Sequence, residues 1–178
     1  MKTPLGRNEL VLYLDFDGVL HHENALWHPR RGVCLKAPPG YVLFQHVELL
    51  EQILAPYPAV KIVLSTSWVR SYGCIKTAKR LPSSLQSRVI GATFHSQMNE
   101  DYFVAAPRGM QVWSDVLRRQ PRAWLALDDD YLHWPAWCRD KYVRTHEHEG
   151  ISEPAVEAEF RQKLELMCSA APDKETKS

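Results

Sequence analysis

Three short runs of the chain are apolar at almost every position, and each ends in a polar cluster. Leu10 to Leu14 leads into Asp15-Phe16-Asp17-Gly18, Val60 to Leu64 into Ser65-Thr66-Ser67, and Ala123 to Leu127 into Asp128-Asp129-Asp130. Uninterrupted apolar runs of this length predict strands buried on both faces of a parallel sheet. Between them the apolar period lengthens to that of amphipathic helices. Leu43, Val47, Leu50 and Leu54, with Leu49 and Ile53, predict a helix over Tyr41 to Leu54, stopped by Pro56 and Pro58. Met110, Trp113, Val116 and Leu117 predict one face of a helix over Gly109 to Arg119, ended by Pro121. Val156, Phe160, Leu164 and Met167 predict a last helix, capped by Ser152 with Glu153 in its first turn.

The remaining segments are weaker signals. Trp68 to Arg80 reads as partly helical, Arg88 to Phe94 and Lys141 to Arg144 as short strands, and Asn99 to Ala106 as loop. His21 to Gly40, with Pro29, Gly32, Pro38, Pro39 and Gly40, reads as irregular. The alternation predicts an α/β fold, a Rossmann-like parallel sheet sandwiched by helices in three layers. Residues 1–170 are expected to form one domain, and 171–178 a flexible tail.

In an open parallel sheet, ligands bind beyond the carboxyl ends of the strands. The three polar clusters therefore converge on one site. Asp15, Asp17 and Asp128 or Asp129 would repel one another there, and burial of unpaired charge is costly. A hard divalent cation with oxygen ligands, Mg2+, answers that repulsion.

Composition narrows the field. The 178 residues hold 22 Lys+Arg against 21 Asp+Glu, for a net charge of +1. Bulk charge therefore excludes a strongly basic nucleic-acid binder or a polybasic membrane-surface protein, while a local basic patch stays open. No run approaches the length of a membrane span, and Met1 to Gly6 carries no apolar signal core. Cys34, Cys74, Cys138 and Cys168 stand far apart without a CxxC pair. They read as reduced thiols and point to the cytoplasm rather than to a zinc site.

Asp15-Phe16-Asp17-Gly18-Val19-Leu20 after an apolar strand resembles the first signature of the haloacid dehalogenase superfamily, most of whose members are magnesium-dependent phosphatases. The Ser/Thr cluster resembles the second signature, a basic residue opening a helix the third, and the paired acids the fourth. The order matches, and the resemblance spans about Leu10 to Asp129. It implies Asp15 as the nucleophile forming an aspartyl-phosphate and as a metal ligand. It implies Asp17 as general acid and then base, with its main-chain carbonyl on the metal. The two-residue spacing lets both project into one site.

The resemblance further implies Thr66 as the phosphoryl hydrogen-bond donor, in a register that Ser65 and Ser67 leave open by one residue. Ser65, Ser67 and Gly18 would be substrate contacts. Arg108, 20 residues before Asp128 and directly after Pro107, would take the basic role that the superfamily more often gives to Lys. Lys76 and Lys79 are alternatives. Asp128 and Asp129 would complete the metal site, with Asp130 making the choice of pair ambiguous. Only 48 residues separate Asp17 from Thr66, and 41 separate Thr66 from Arg108. That leaves room for a minimal cap, with residues 18–40 as a flap, and suits a bulky phosphorylated substrate.

The run Leu64-Ser65-Thr66-Ser67-Trp68-Val69-Arg70 and the closing Leu-Asp-Asp also resemble a bacterial subgroup related to domains of RNA-repair proteins. Two other functions fit the same residues: a receiver-like module phosphorylated on Asp without turnover, and a nucleic-acid-end repair or binding protein. His21 and His22 read as exposed loop residues that could touch substrate. His146-Glu147-His148 reads as a solvated loop. Trp27, Trp134 and Trp137 read as packing under loops, with stacking on a base as the alternative. Trp113 and Trp124 read as core.

Overall fold

The computed structural model describes residues 4–131 and 134–170; the expected tail from Ala171 lies outside them. In chain order the elements are β1 (Leu10–Leu14), β2 (Ala25–His28), β3 (Gly32–Leu35), α1 (Val47–Leu54), β4 (Val60–Leu64), α2 (Trp68–Tyr72) and α3 (Cys74–Ala78). They continue as α4 (Ser83–Gln86), β5 (Val89–Ala92), α5 (Glu100–Ala105), α6 (Arg108–Arg119), β6 (Ala123–Asp128), β7 (Tyr142–Arg144) and α7 (Pro154–Ser169). Five strands form one sheet in the order β5-β4-β1-β6-β7, and every pairing in it is parallel. This is the expected three-layer α/β architecture.

The central strand β1 is buried at all five positions, and its side chains alternate between the two layers, as the pleat requires. Leu10, Leu12 and Leu14 join Ile62, Leu64, Leu125 and Leu127 under α1, α2 and α7. Val11 and Tyr13 join Val63, Trp124 and Ala126 under α6. Because β1, β4 and β6 run in parallel and in register, their carboxyl ends lie side by side. Leu14 pairs with Leu64 on one side and Leu127 on the other. The three polar clusters follow directly from those paired positions.

Several local expectations are corrected. The first helix starts at Val47, not Tyr41, because Phe44 takes a left-handed φ of 60° that no helix continues through. Residues 21–40 are not irregular throughout: β2 and β3 form an antiparallel hairpin. Residues 99–106 are not loop. Asn99 caps α5 by accepting from the Tyr102 amide at 3.1 Å. On α7 the cap is Glu153, whose carboxylate accepts from Val156 N at 2.9 Å, with Pro154 behind it, and not Ser152.

The buried face of α6 is Gly109, Val112, Asp115, Val116 and Arg119; Met110 and Leu117 are exposed. The apolar stripe misled because two charged residues face inward. Tyr13 donates its hydroxyl to Asp115 Oδ2 at 2.9 Å, and Arg119 Nε donates to the same oxygen at 2.8 Å. Arg118 also bonds Asp115. A buried phenol and guanidinium with a shared acceptor can lie under a helix where a lone charge cannot.

Candidate active site

Asp15 is the first residue beyond β1, and its amide donates to the Leu127 carbonyl at 3.2 Å, so the main chain fixes it between the central strands. Its carboxylate accepts from Phe16 N at 2.7 Å and from Arg108 Nη2 at 3.1 Å. Asp128 ends β6 and Asp129 follows it. Among the described residues, Asp15, Asp128 and Asp129 form a group whose nearest carboxylate oxygens all lie within 4.8 Å of one another. Asp130 is exposed and outside that group.

Arg108 opens α6 and spans the group. Its Nη2 meets Asp15 Oδ2 at 3.1 Å, its Nε lies 3.1 Å from Asp128 Oδ2, and its Nη1 donates to the Ser65 carbonyl. A fork of donors can hold three acceptors in one plane where an ammonium holds a point. Burial opposes the charge on Arg108, but Asp15 and Asp128 outweigh it and hold its pKa above the ordinary value. Lys76 on α3 and Lys79 just after it are exposed. They line a separate cleft of about 960 Å³ along β5, with Arg70 and His95 and without the three clustered aspartates.

The Ser65–Thr66–Ser67 run sorts itself by contact. Ser65 is buried and gives its carbonyl to Arg108. Thr66 is buried, its hydroxyl accepts from Trp68 N at 3.4 Å, and its side chain is the member of the run that helps to lower the pKa of the Asp15 carboxyl. Ser67 is half-buried and immediately precedes α2. Gly18 accepts from Thr145 Oγ1 at 2.6 Å through its carbonyl, and Val19 accepts from Ile151 N at 3.0 Å. The loop after β1 is thus tied to residues 145–151.

Asp17 behaves differently from Asp15. The spacing brings both to the site, but the Asp17 carboxylate is outside the three-aspartate group. It turns to His21 Nε2, 3.0 Å away, and to Trp68 Nε1, at 3.0 and 3.1 Å from its two oxygens. His21 and His22, expected in an exposed loop, are buried. Aromatic neighbours and this acceptor supply what a buried imidazole needs. His22 stacks on His148 at 4.3 Å. His146 and Glu147 are exposed, as expected of that loop. Trp134 stacks on Tyr142 at 4.3 Å and Trp124 is core, as expected. Trp27 is exposed on β2 rather than packed, Trp137 is exposed with one edge against Trp113, and Trp113 is half-buried.

Burial pushes the carboxyls of Asp15, Asp128 and Asp129 up, and their mutual charge adds to it. Asp129 rises to about 7. Arg108, the Phe16 amide and Thr66 pull Asp15 the other way without cancelling the rise. Asp128 Oδ2 is buried and makes no hydrogen bond, because Arg108 Nε is close without being aligned. Three converging carboxylates, one with an unmatched buried oxygen, form an all-oxygen donor set that fits magnesium.

The family described as the HAD domain in Swiss Army Knife RNA repair proteins matches residues 11–156. The chain belongs to this family. No curated protein and no solved structure matches the chain. The match runs past Asp129, where the expected resemblance ended, and takes in residues 145–151 that tie down the Gly18 loop of this HAD domain. Membership supports phosphohydrolase-type chemistry at the aspartate cluster. No helix of the HAD domain, among the described residues, is long and apolar enough to cross a membrane. Sequence reading missed Trp68 and the role of His21 beside Asp17; the sole hint was their closeness in sequence to the two signatures.

Proposed function

We propose that this HAD domain is a magnesium-dependent phosphohydrolase working through an aspartyl-phosphate on Asp15, with Asp17 as general acid and base. The observation that carries it is the meeting of Asp15, Asp128 and Asp129 within 4.8 Å at adjacent strand ends, with Arg108 hydrogen-bonded to Asp15 and in ion-pair distance of Asp128. Asp15, Asp128, Asp129 and the main-chain carbonyl of Asp17 would hold magnesium, which supplies fixed positive charge beside the phosphoryl oxygens.

Asp15 attacks phosphorus through a carboxylate oxygen. The bond from phosphorus to the leaving oxygen breaks, and Asp17 gives that oxygen its proton. Asp17, now ionised, takes a proton from the water that attacks the same phosphorus. The bond to Asp15 breaks, releasing phosphate and returning both carboxyls to their starting states. Arg108 holds the nucleophile and offsets charge that spreads over the phosphoryl oxygens, and Thr66 donates to them.

The family's place in RNA repair proteins supports a phosphorylated RNA end as the substrate. The short β2–β3 hairpin between Asp17 and α1 is consistent with a site open to a polymer end. Phosphate release from RNA oligonucleotides phosphorylated at either end, from nucleotides and from phosphopeptides, with and without magnesium, tests both parts. Magnesium-dependent release that Asp15→Asn abolishes is expected, with an RNA end preferred. Equal activity of Asp15→Asn would overturn the mechanism; preference for a phosphopeptide would overturn the substrate.

A further inference from the structure

Asp17 is held from behind by two neutral donors whose geometry fixes where its proton can go. Phe44 N–H donates to His21 Nδ1 at 3.3 Å, so that nitrogen carries no hydrogen and Nε2 carries one. His21 Nε2–H therefore donates to Asp17 Oδ1, 3.0 Å away. Phe44, whose amide donates to His21 Nδ1, has a left-handed φ of 60°. Trp68 Nε1–H is shared between Oδ1 at 3.0 Å and Oδ2 at 3.1 Å.

The rings are locked as well. His21 is fully buried, 5.0 Å from Phe44 and 5.8 Å from Trp68 between centroids. Phe16 packs edge-on to both Phe44 and Trp68, at 5.2 and 5.7 Å. Neither donor can take a proton from Asp17. Indole nitrogen donates only, and both nitrogens of this His21 tautomer are committed. Oδ1 already accepts two N–H groups, whereas Oδ2 accepts one shared hydrogen.

We propose that His21 and Trp68 are positioning residues for Asp17, aiming its carboxyl and reserving Oδ2 for the proton given to the leaving oxygen. The inference rests on the reading of Asp17 as general acid. A misplaced acid is felt most where the leaving oxygen is basic and needs the proton, and least where the leaving group departs unaided.

The test compares kcat/KM for an alkyl phosphate and for 4-nitrophenyl phosphate in the full chain, in His21→Leu, His21→Gln and Trp68→Phe. Because kcat/KM reports events up to leaving-group departure, the later hydrolysis does not enter. The alkyl-to-aryl ratio is expected to fall about tenfold in His21→Leu and Trp68→Phe, a fraction of what a full general acid contributes. His21→Gln, which keeps an N–H donor, should restore much of it. Equal loss with both substrates, or an unchanged ratio in folded variants, overturns the inference and leaves the phosphatase reading standing. A parent chain that releases phosphate from neither substrate overturns that reading, and the inference with it. Thermal unfolding checks each variant; if His21→Leu does not fold, Trp68→Phe and His21→Gln decide.

Discussion

A β-carbon at residue 18 would stand 2.2 Å from Asp129 Oδ2 and 2.7 Å from Asp129 Cβ. Gly18 also has φ 66°, so two independent demands meet at one residue. Gly18→Ala must move the Asp129 carboxylate out of its cluster. Phosphatase activity is expected to fall by about 100-fold, as misplacements near 1 Å do, and stability by about 1–2 kcal/mol. Denaturant unfolding of Gly18→Ala alone and with Asp129→Ala checks the cause. The alanine at 18 should cost less stability once the Asp129 carboxylate is gone, and equal cost would point to backbone strain and the Asp129 Cβ rather than to the carboxylate.

Arg108 is bonded to Asp15 and the Ser65 carbonyl and lies 3.1 Å from Asp128. Lysine cannot reach all three, so Arg108→Lys should lower kcat by roughly 100-fold or more, on the scale of one lost transition-state donor. Arg108→Met leaves two buried carboxylates facing each other without a cation. It should destabilise the metal-free protein at pH 8 by about 3 kcal/mol, and saturating magnesium should restore much of that. Thermal unfolding with chelator and with magnesium reads both effects. A stability unchanged by the substitution would show that the ion pairs contribute nothing.

Asp129 gives a pH signature with a definite sign. Its carboxyl is raised to about 7 by burial first and by Asp15 second, against about 4 in an unfolded chain. Between those values the folded state binds the extra proton. Its contribution to stability is therefore full below about 4 and is lost as pH rises through about 7. In chelator, the melting temperature of the parent chain minus that of Asp129→Asn should fall from pH 4.5 to pH 7.5. Taking the difference cancels His22, His46 and His95, whose lowered values favour higher pH. Stabilisation by magnesium should in turn be larger at pH 8 than at pH 5.5. A difference that rises with pH would sink the assignment.

Asp115 is a test of structure apart from chemistry. It is the shared acceptor of Tyr13, Arg118 and Arg119 beneath the sheet. Asp115→Ala leaves a buried phenol and a buried guanidinium without their acceptor. A loss of about 3–5 kcal/mol is expected in denaturant unfolding, with kcat of the folded fraction little changed. A loss below about 1 kcal/mol would mean that water replaces the carboxylate.

The three core strands and the convergence of their polar ends were legible because uniform burial leaves one composition open to a central parallel strand. The same signal placed Asp15, Asp128 and Asp129 together. What failed to show were features set by single partners far away in sequence. The apolar stripe on Met110, Trp113, Val116 and Leu117 gives no sign that Asp115 and Arg119 face inward to meet Tyr13. His21 read as an exposed loop residue because nothing local announces Asp17, Trp68 and the Phe44 amide around it. The hairpin at residues 25–35 was hidden by its four-residue strands, whose side chains are only half-buried or exposed. The start of α1 was hidden by an apolar period that continues through Leu43, although the backbone turns left-handed at Phe44.

The ties from Thr145 to Gly18 and from Ile151 to Val19 have a consequence for how the chain acquires its activity. The Thr145 to Gly18 bond bridges 127 residues. During synthesis, β1 and its aspartates leave the ribosome long before the segment that anchors their loop. Until residues 145–151 follow, the loop carbonyls of Gly18 and Val19 lack these partners, so the segment beside Asp17 is anchored only once the last quarter of the described chain is in place.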